Sequence, residues 1–260
     1  MIQDIDTVSL AKHYPLGHRY PDGDRAYRYA RAGSTLHNKM GAKSNLFQQV
    51  MHAPLAADAL IGARQVVITV QNTDGYPVGT AIAENELAGG YVCFHLRADT
   101  ATRNYTINRR ILRNTATGAL PAVMTLTIDK PLSYDLIAGG VMYVDCCASP
   151  YRDVRNDPAT MPMPYASVVG IPTMSALVNE YLWLQTWGPC VPNGDLDMGV
   201  QQNGRGVYFG PDGNLHVGAF FGAGTDPYNT YQAQYAGYLM CNDNTVTARG
   251  APFIFLQIAP

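Results

Sequence analysis

Cys190 closes the stretch YLWLQTWGPC (181–190), directly behind both tryptophans of the chain, Trp183 and Trp187. A thiol beside aromatic rings becomes a nucleophile when a histidine lies within hydrogen-bonding reach to take its proton. Cys190 with His216 and Cys93 with His95 are the conceivable dyads. However, residues i and i+2 of a strand share a face without sharing hydrogen-bond geometry. No GxSxG elbow offers a serine instead. The close-set acids Glu84 with Glu86, and Asp195 with Asp197, do not suit glycoside hydrolysis, in which acid and base act from opposite sides of a bond. Asp195 and Asp197 also lack the Gly and Glu that complete a calcium loop. GAGTDP (222–227) and NGRG (203–206) lack the Lys and the strand–loop–helix setting of a phosphate cradle. Arg103, Arg109, Arg110 and Arg113 form one basic stretch, RNYTINRRILRN, for which a solvated strand or a set of inter-subunit ion pairs outweighs an anion site. The expectation is a protein with no catalytic residues, no cofactor and no metal site.

The aromatic stretch itself reads as packing. In extended conformation Tyr181, Trp183, Gln185 and Trp187 share one side, and Leu182, Leu184 and Thr186 the other. Both faces then ask for burial, in a core or against a neighbour. A carbohydrate platform uses such rings too, but no cluster of Asn, Asp or Glu flanks them in sequence, and Gly188-Pro189 predicts an immediate end to the strand.

Composition narrows the class. Charged residues are only 15% of the 260 and aromatic residues 10%, with 17 tyrosines. Globular domains carry about 25% charge, so much of this surface is neutral, polar or aromatic, which suits protein contact. The last hundred residues hold two basic and six acidic groups, and the whole chain has a formal charge of −2. That balance argues against nucleic acid and anionic membranes as partners. No 18-residue apolar run predicts a membrane span, and the N-terminus, MIQD, does not read as a signal peptide. Five cysteines with no CxxC pair read as reduced, buried thiols.

The elements that must position these residues are strands. RQVVITVQN (64–72), GGYVCFHLRA (89–98), PAVMTLTIDKPLS (121–133) and GGVMYVDCCAS (139–149) alternate or carry β-formers between turn residues. SVVGIPTM (167–174), EYLWLQTWGPC (180–190), GVYFGPDGNLHVGAFF (206–221), AQYAGYLMC (233–241) and PFIFLQIAP (252–260) form a second set. The expected fold class is all-β, one or two barrel or sandwich lobes, at 64–149 and 167–260. Residues 150–166, with four prolines, read as a connector. Residues 1–63 read as an extended arm with short helical pieces in 44–63, ordered on a partner. No internal repeat is convincing.

The succession DGDRAYRYARAGSTL, ARQVVITV, AGGYVCFHL, LTIDKPL, ASPY, VVGIP, YLWLQTWGPC and DGNLHVG resembles capsid decoration, or cement, proteins of tailed bacteriophages. The resemblance implies a virion structural protein, made in the host cytoplasm, on the outer surface of an icosahedral head. It implies the major capsid protein and further copies of the chain, as a homotrimer, for partners. On that reading Tyr20, Arg25, Tyr27, Arg28, Tyr29 and Arg31 are the capsid-contact arm, and Tyr181, Trp183 and Trp187 the packing or interface strand. The competing class is a host-glycan-binding head or tail fibre component.

Overall fold

The computed structural model describes residues 3–44, 48–75, 77–96, 106–139, 142–156, 167–194, 205–210, 213–217, 220–221, 231–232, 234–241 and 253–260. The chain opens with β1 (Arg19–Asp22), β2 (Arg25–Arg31) and β3 (Ala42–Ser44). It continues through β4 (Gln48–Pro54), β5 (Gln65–Val70), β6 (Tyr91–Leu96), β7 (Ile107–Asn114), β8 (Ala122–Ile128) and β9 (Met142–Cys147). It then runs β10 (Val154–Arg155), β11 (Val168–Pro172), β12 (Tyr181–Cys190), β13 (Gly206–Phe209) and β14 (Leu215–Val217). Last come β15 (Phe220–Phe221), β16 (Tyr231–Gln232), β17 (Gln234–Cys241) and β18 (Phe253–Gln257). The strands fall into two compact units. Leu46–Ser149 is inserted into a discontinuous unit made of Met1–Asn45 and Pro150–Pro260.

The inserted unit is a six-stranded antiparallel sheet in the order β4-β9-β6-β7-β8-β5. Period-two alternation sends Val66, Ile68 and Val70 of β5, Met124, Leu126 and Ile128 of β8, and Val144 and Cys146 of β9 into one buried core. The sheet curls until its ends meet. Leu55, just past β4, forms an antiparallel bridge to Ile68 of β5, and the Ala56 N–H donates to Val67 O at 2.9 Å. Helical pieces expected across 44–63 are replaced here by β4. Its alternation is hidden because the register slips twice, between Gln48 and Val50 and between Val50 and Ala53. The amides freed by those bulges are taken by carboxylates: Met51 N–H donates to Asp74 at 2.9 Å and His52 N–H to Asp145 at 2.7 Å.

The discontinuous unit is organised around β12. On one edge β2 runs antiparallel along Tyr181–Trp187; on the other, β11 pairs at Leu184 and Gln185 and β18 at Trp187–Cys190. The sheet continues in the order β10-β3-β11-β12-β18-β17-β13-β14. Residues 3–44 are therefore part of a folded unit and not a separate arm. Ala and Tyr alternate in β2, so Ala30 packs in one buried cluster and Tyr27 and Tyr29 in another. Neither face looks apolar in sequence, yet both are covered. Likewise the supposed connector supplies β10, paired to β3; residues 157–166 lie outside the described set.

Gly188-Pro189 does not end β12, because glycine lets the strand turn there with φ +91° and continue along β18. A Cβ at this position would stand 2.2 Å from the Asp24 carbonyl oxygen. Gly188→Ala should destabilise the discontinuous unit by about 2 kcal/mol or more. Urea unfolding followed by tryptophan fluorescence reads this directly, since both tryptophans lie on β12; an unchanged midpoint contradicts it.

Candidate functional site

Each unit presents the same pair of interlocked loops. In the discontinuous unit Leu36 and Ala176 exchange two backbone hydrogen bonds of 2.8 and 3.0 Å; in the inserted unit Ala59 and Leu136 exchange two of 2.8 Å. Two residues past the first partner, a backbone N–H caps onto the side chain that precedes the second. Asn38 donates to Ser175 Oγ at 3.2 Å, and Ile61 to Asp135 Oδ1 at 2.6 Å. Three residues past each partner the backbone turns left-handed, at Lys39 (φ +69°) and Asn179 (φ +70°) in one unit and Gly62 (φ +86°) and Gly139 (φ +122°) in the other. The flanking strands match as well. β2 and β4 precede the first loop and pair antiparallel with β12 and β9; β3 and β5 follow it and pair antiparallel with β11 and β8.

This repeat is not visible in sequence because the bridging pair trades places, Leu opposite Ala in one unit and Ala opposite Leu in the other. The sum of volumes is kept while the residue-by-residue likeness is lost. The second loop of each pair carries exposed apolar side chains in both units, and in the inserted unit the first loop does too, where Leu60 and Ile61 stand in place of the exposed His37 and Asn38 of the other unit. Leu60 and Ile61 are 61% and 65% exposed and Ile137 52%; Leu177 is 64% and Val178 48%. Met174 and Tyr134, each one residue before the capping side chain, are also exposed at matching places. None of these seven stood out in the sequence; the only signals were Gly62 and Gly139.

The aromatic stretch forms a second feature, within the discontinuous unit. Trp183 is buried with Leu16, Tyr27 and Tyr29. Its ring lies 5.0 Å from Tyr29, 5.1 Å from Tyr14 and 5.7 Å from Tyr20, and its Nε1–H donates to Gln3 O at 3.2 Å. Gln3 ties the N-terminal segment down: its amide donates to Thr7 O and Tyr181 O at 2.8 Å each, and its Oε1 accepts the Tyr29 hydroxyl at 2.6 Å. Burial raises the Tyr29 phenol above its ordinary value, which keeps that donor protonated. Trp187 does not join Trp183. The register slips between Gln185 and Trp187, and the Trp187 ring packs edge-on against Phe255 at 5.6 Å. Tyr181 is half-buried and stacks on Tyr29 at 5.8 Å.

Of the residues expected on a contact arm, Tyr27 and Tyr29 are buried inside this unit and hold no face for a partner. Arg28 is half-buried and spans Gly17 O (3.3 Å) and Pro260 O (3.1 Å). Arg25 is exposed and paired with Asp22 at 2.6 Å; Arg31 is half-buried. Tyr20 is exposed and, with Gln3, Asp4, Ile5, Tyr14, Asp22 and Trp183, lines a cavity of about 300 Å3. The acids that sequence did not place near the rings thus reach them from the N-terminal segment and β1.

Among the described residues the nucleophile and acid candidates do not assemble. Three strands separate Cys190 on β12 from His216 on β14, at about 4.8 Å per strand. His95 bonds to Asp145 and not to Cys93. Glu86 accepts the Ala83 N–H at 2.7 Å in a turn. Arg109 donates to Pro131 O and Ser133 Oγ, both at 3.0 Å, Arg110 is half-buried and Arg113 is exposed. Arg103, Asp195, Asp197 and GAGTDP lie outside the described residues.

Desolvation pushes the Cys190 thiol from 9.0 up to about 12 and raises Cys93, Cys146 and Cys147 as well. The folded state therefore holds the Cys190 proton more tightly than the unfolded chain does. The associated stability is present below about pH 9 and is lost as pH rises towards 12. No protein-family model and no curated protein sequence matches the chain. Fold and site define an all-β protein of two curled-sheet units that carry loop pairs with equivalent backbone hydrogen bonds. Iodoacetamide at neutral pH, read by peptide mass spectrometry, should leave Cys190 and Cys146 unmodified while exposed Cys241 reacts. Rapid labelling of Cys190 contradicts the thiol's assignment as an inert packing group.

Proposed function

We propose that the protein is a virion structural protein that decorates an icosahedral phage head and cements neighbouring major capsid subunits through its two loop pairs. The observation that carries this reading is the duplication: one chain holds two copies of the same hydrogen-bonded loop pair, each with exposed apolar side chains, of which Met174 and Leu177 correspond in position to Tyr134 and Ile137. Isolated exposed apolar residues are ordinary, but matched sets at the tips of hydrogen-bonded loops mark contact surfaces. A chain with two equivalent contact sites suits a partner that repeats its own surface, as a shell of identical subunits does. Once one loop pair binds, the other meets its site at high effective concentration, so modest contacts combine into tight attachment. The low charge and the many tyrosines support protein as the partner. A homotrimer multiplies the contacts further.

The test is retention on purified heads after sedimentation. Leu60→Asp with Ile61→Asp disables one loop pair, and Leu177→Asp with Val178→Asp the other. All four residues are exposed, so each double variant should stay folded. Either one should weaken attachment by about a hundredfold or more, and the combination should abolish it. Undiminished attachment of the combined variant overturns the reading.

The cavity beside Trp183 favours a second reading, a host-glycan site in a head or tail fibre component. Tyr20 offers a partly exposed ring, and Asp4, Asp22 and Gln3 offer hydrogen-bonding groups around it. A glycan array probed with the wild type and Tyr20→Ala separates the two. Binding that disappears in the variant supports the glycan site; no binding by the wild type removes it.

A further inference from the structure

A different chemistry converges on the outer face of the inserted unit. Along β6 and β9 the half-buried side chains alternate with the core: Cys93 and His95 on one strand, Tyr143, Asp145 and Cys147 on the other. The register sets Cys93 opposite Asp145 and His95 opposite Tyr143. Asp145 binds in two directions. Its Oδ2 is 2.8 Å from His95 Nε2, and its Oδ1 accepts the His52 N–H at 2.7 Å. The second bond holds the bulge of β4 in which His52 has φ +53°, a backbone conformation that residues with a Cβ rarely adopt. The bulge brings the exposed His52 ring to the same carboxylate. A ring nitrogen of each histidine and an oxygen of Asp145 lie within 4.8 Å of one another. The two imidazoles stand 5.7 Å apart and nearly perpendicular, and the Tyr143 ring flanks both, 5.2 Å from His52 and 6.0 Å from His95.

We propose that His52, His95 and Asp145 bind a divalent transition-metal ion of the zinc class. Two imidazoles and one carboxylate suit Zn2+, Co2+ or Ni2+, whereas Ca2+ and Mg2+ take all-oxygen sites. A tetrahedral metal ion about 2.0–2.2 Å from each donor sets neighbouring donors about 3.4 Å apart. His95 Nε2 and Asp145 Oδ2, 2.8 Å apart, reach that spacing by separating about 0.6 Å. The ion takes the place of the proton between them, while Asp145 Oδ1 keeps its bond to the His52 backbone and so holds the carboxylate in place. Exposed His52 completes the set by rotating its ring. Three protein donors leave at least one position for water or for a donor from another molecule. A plain His95–Asp145 pair accounts for the 2.8 Å contact and bulge capping for the His52 amide bond, but neither accounts for the exposed His52 ring standing beside the same carboxylate and His95. The inference stands apart from the docking loops and does not depend on them.

Titration calorimetry of the full chain with Zn2+ and Ni2+ at neutral pH tests it. One ion should bind per chain in the micromolar range or tighter, and more weakly in mild acid, because the imidazole nitrogens must be free of protons. His52→Ala removes an exposed ligand outside the core and should weaken binding at least about tenfold, with the unfolding midpoint in chelator unchanged. Co2+ should give ligand-field absorption with no thiolate charge-transfer band, which separates this site from nearby Cys93 and Cys147. The proposal is overturned by the absence of saturable uptake, by uptake unchanged in His52→Ala with His95→Gln, or by a thiolate band lost in Cys93→Ser.

Discussion

The pairing of β2 with β12 holds the discontinuous unit together. It joins residues about 150 positions apart, with Tyr29 directly opposite Trp183 and Ala30 opposite Leu182. On one face the two strands bury aromatic rings; on the other, aliphatic side chains fill a separate cluster with Val154 and Val169. Aromatic pairs of this geometry add about 0.5–1.5 kcal/mol each beyond their buried area. Without β2 one edge of β12 would carry unpaired backbone groups. The other edge already divides between β11 and β18, so three strands of the unit, β2, β11 and β18, pair directly with β12. The inserted unit leaves and re-enters the chain between the two halves of this pairing, between residues 45 and 150.

On the proposed reading the loop pairs are the contact surface on that framework. Their backbones bond to each other and to a capping Ser175 or Asp135, so little conformational freedom remains to be lost when a partner binds. Leu60, Ile61, Leu177 and Val178 stand exposed on them. Each pair sits between strands anchored in a core, β2 and β12 in one unit and β4 and β9 in the other. Rigid loops on a fixed scaffold are the common way a β-protein presents a binding site.

Much of the strand content was legible. β5, β8 and β9 alternate cleanly between a buried and a solvent side, and their sequence pattern carries that signal. β4 was hidden because two bulges break its period and Asp74 and Asp145, distant in sequence, satisfy the displaced amides. β2 was hidden because Ala and Tyr serve two different clusters, so neither parity looks apolar. β12 was cut short in the reading because Gly188-Pro189 resembles a terminator, while a positive φ lets the strand continue along β18. The loop pairs escaped because Leu36 and Ala176 exchange sizes with Ala59 and Leu136. The His52–His95–Asp145 cluster was invisible for the same reason as β4: it exists only once the bulge forms.

Imaging of purified particles tests the proposed role most directly. The account predicts one ordered copy or more on the outer surface of the head, with the Leu60–Ile61 and Leu177–Val178 loops of a single chain against two neighbouring major capsid subunits. Absence of the protein from the particles, or attachment through surfaces that leave both loop pairs in solvent, would contradict it.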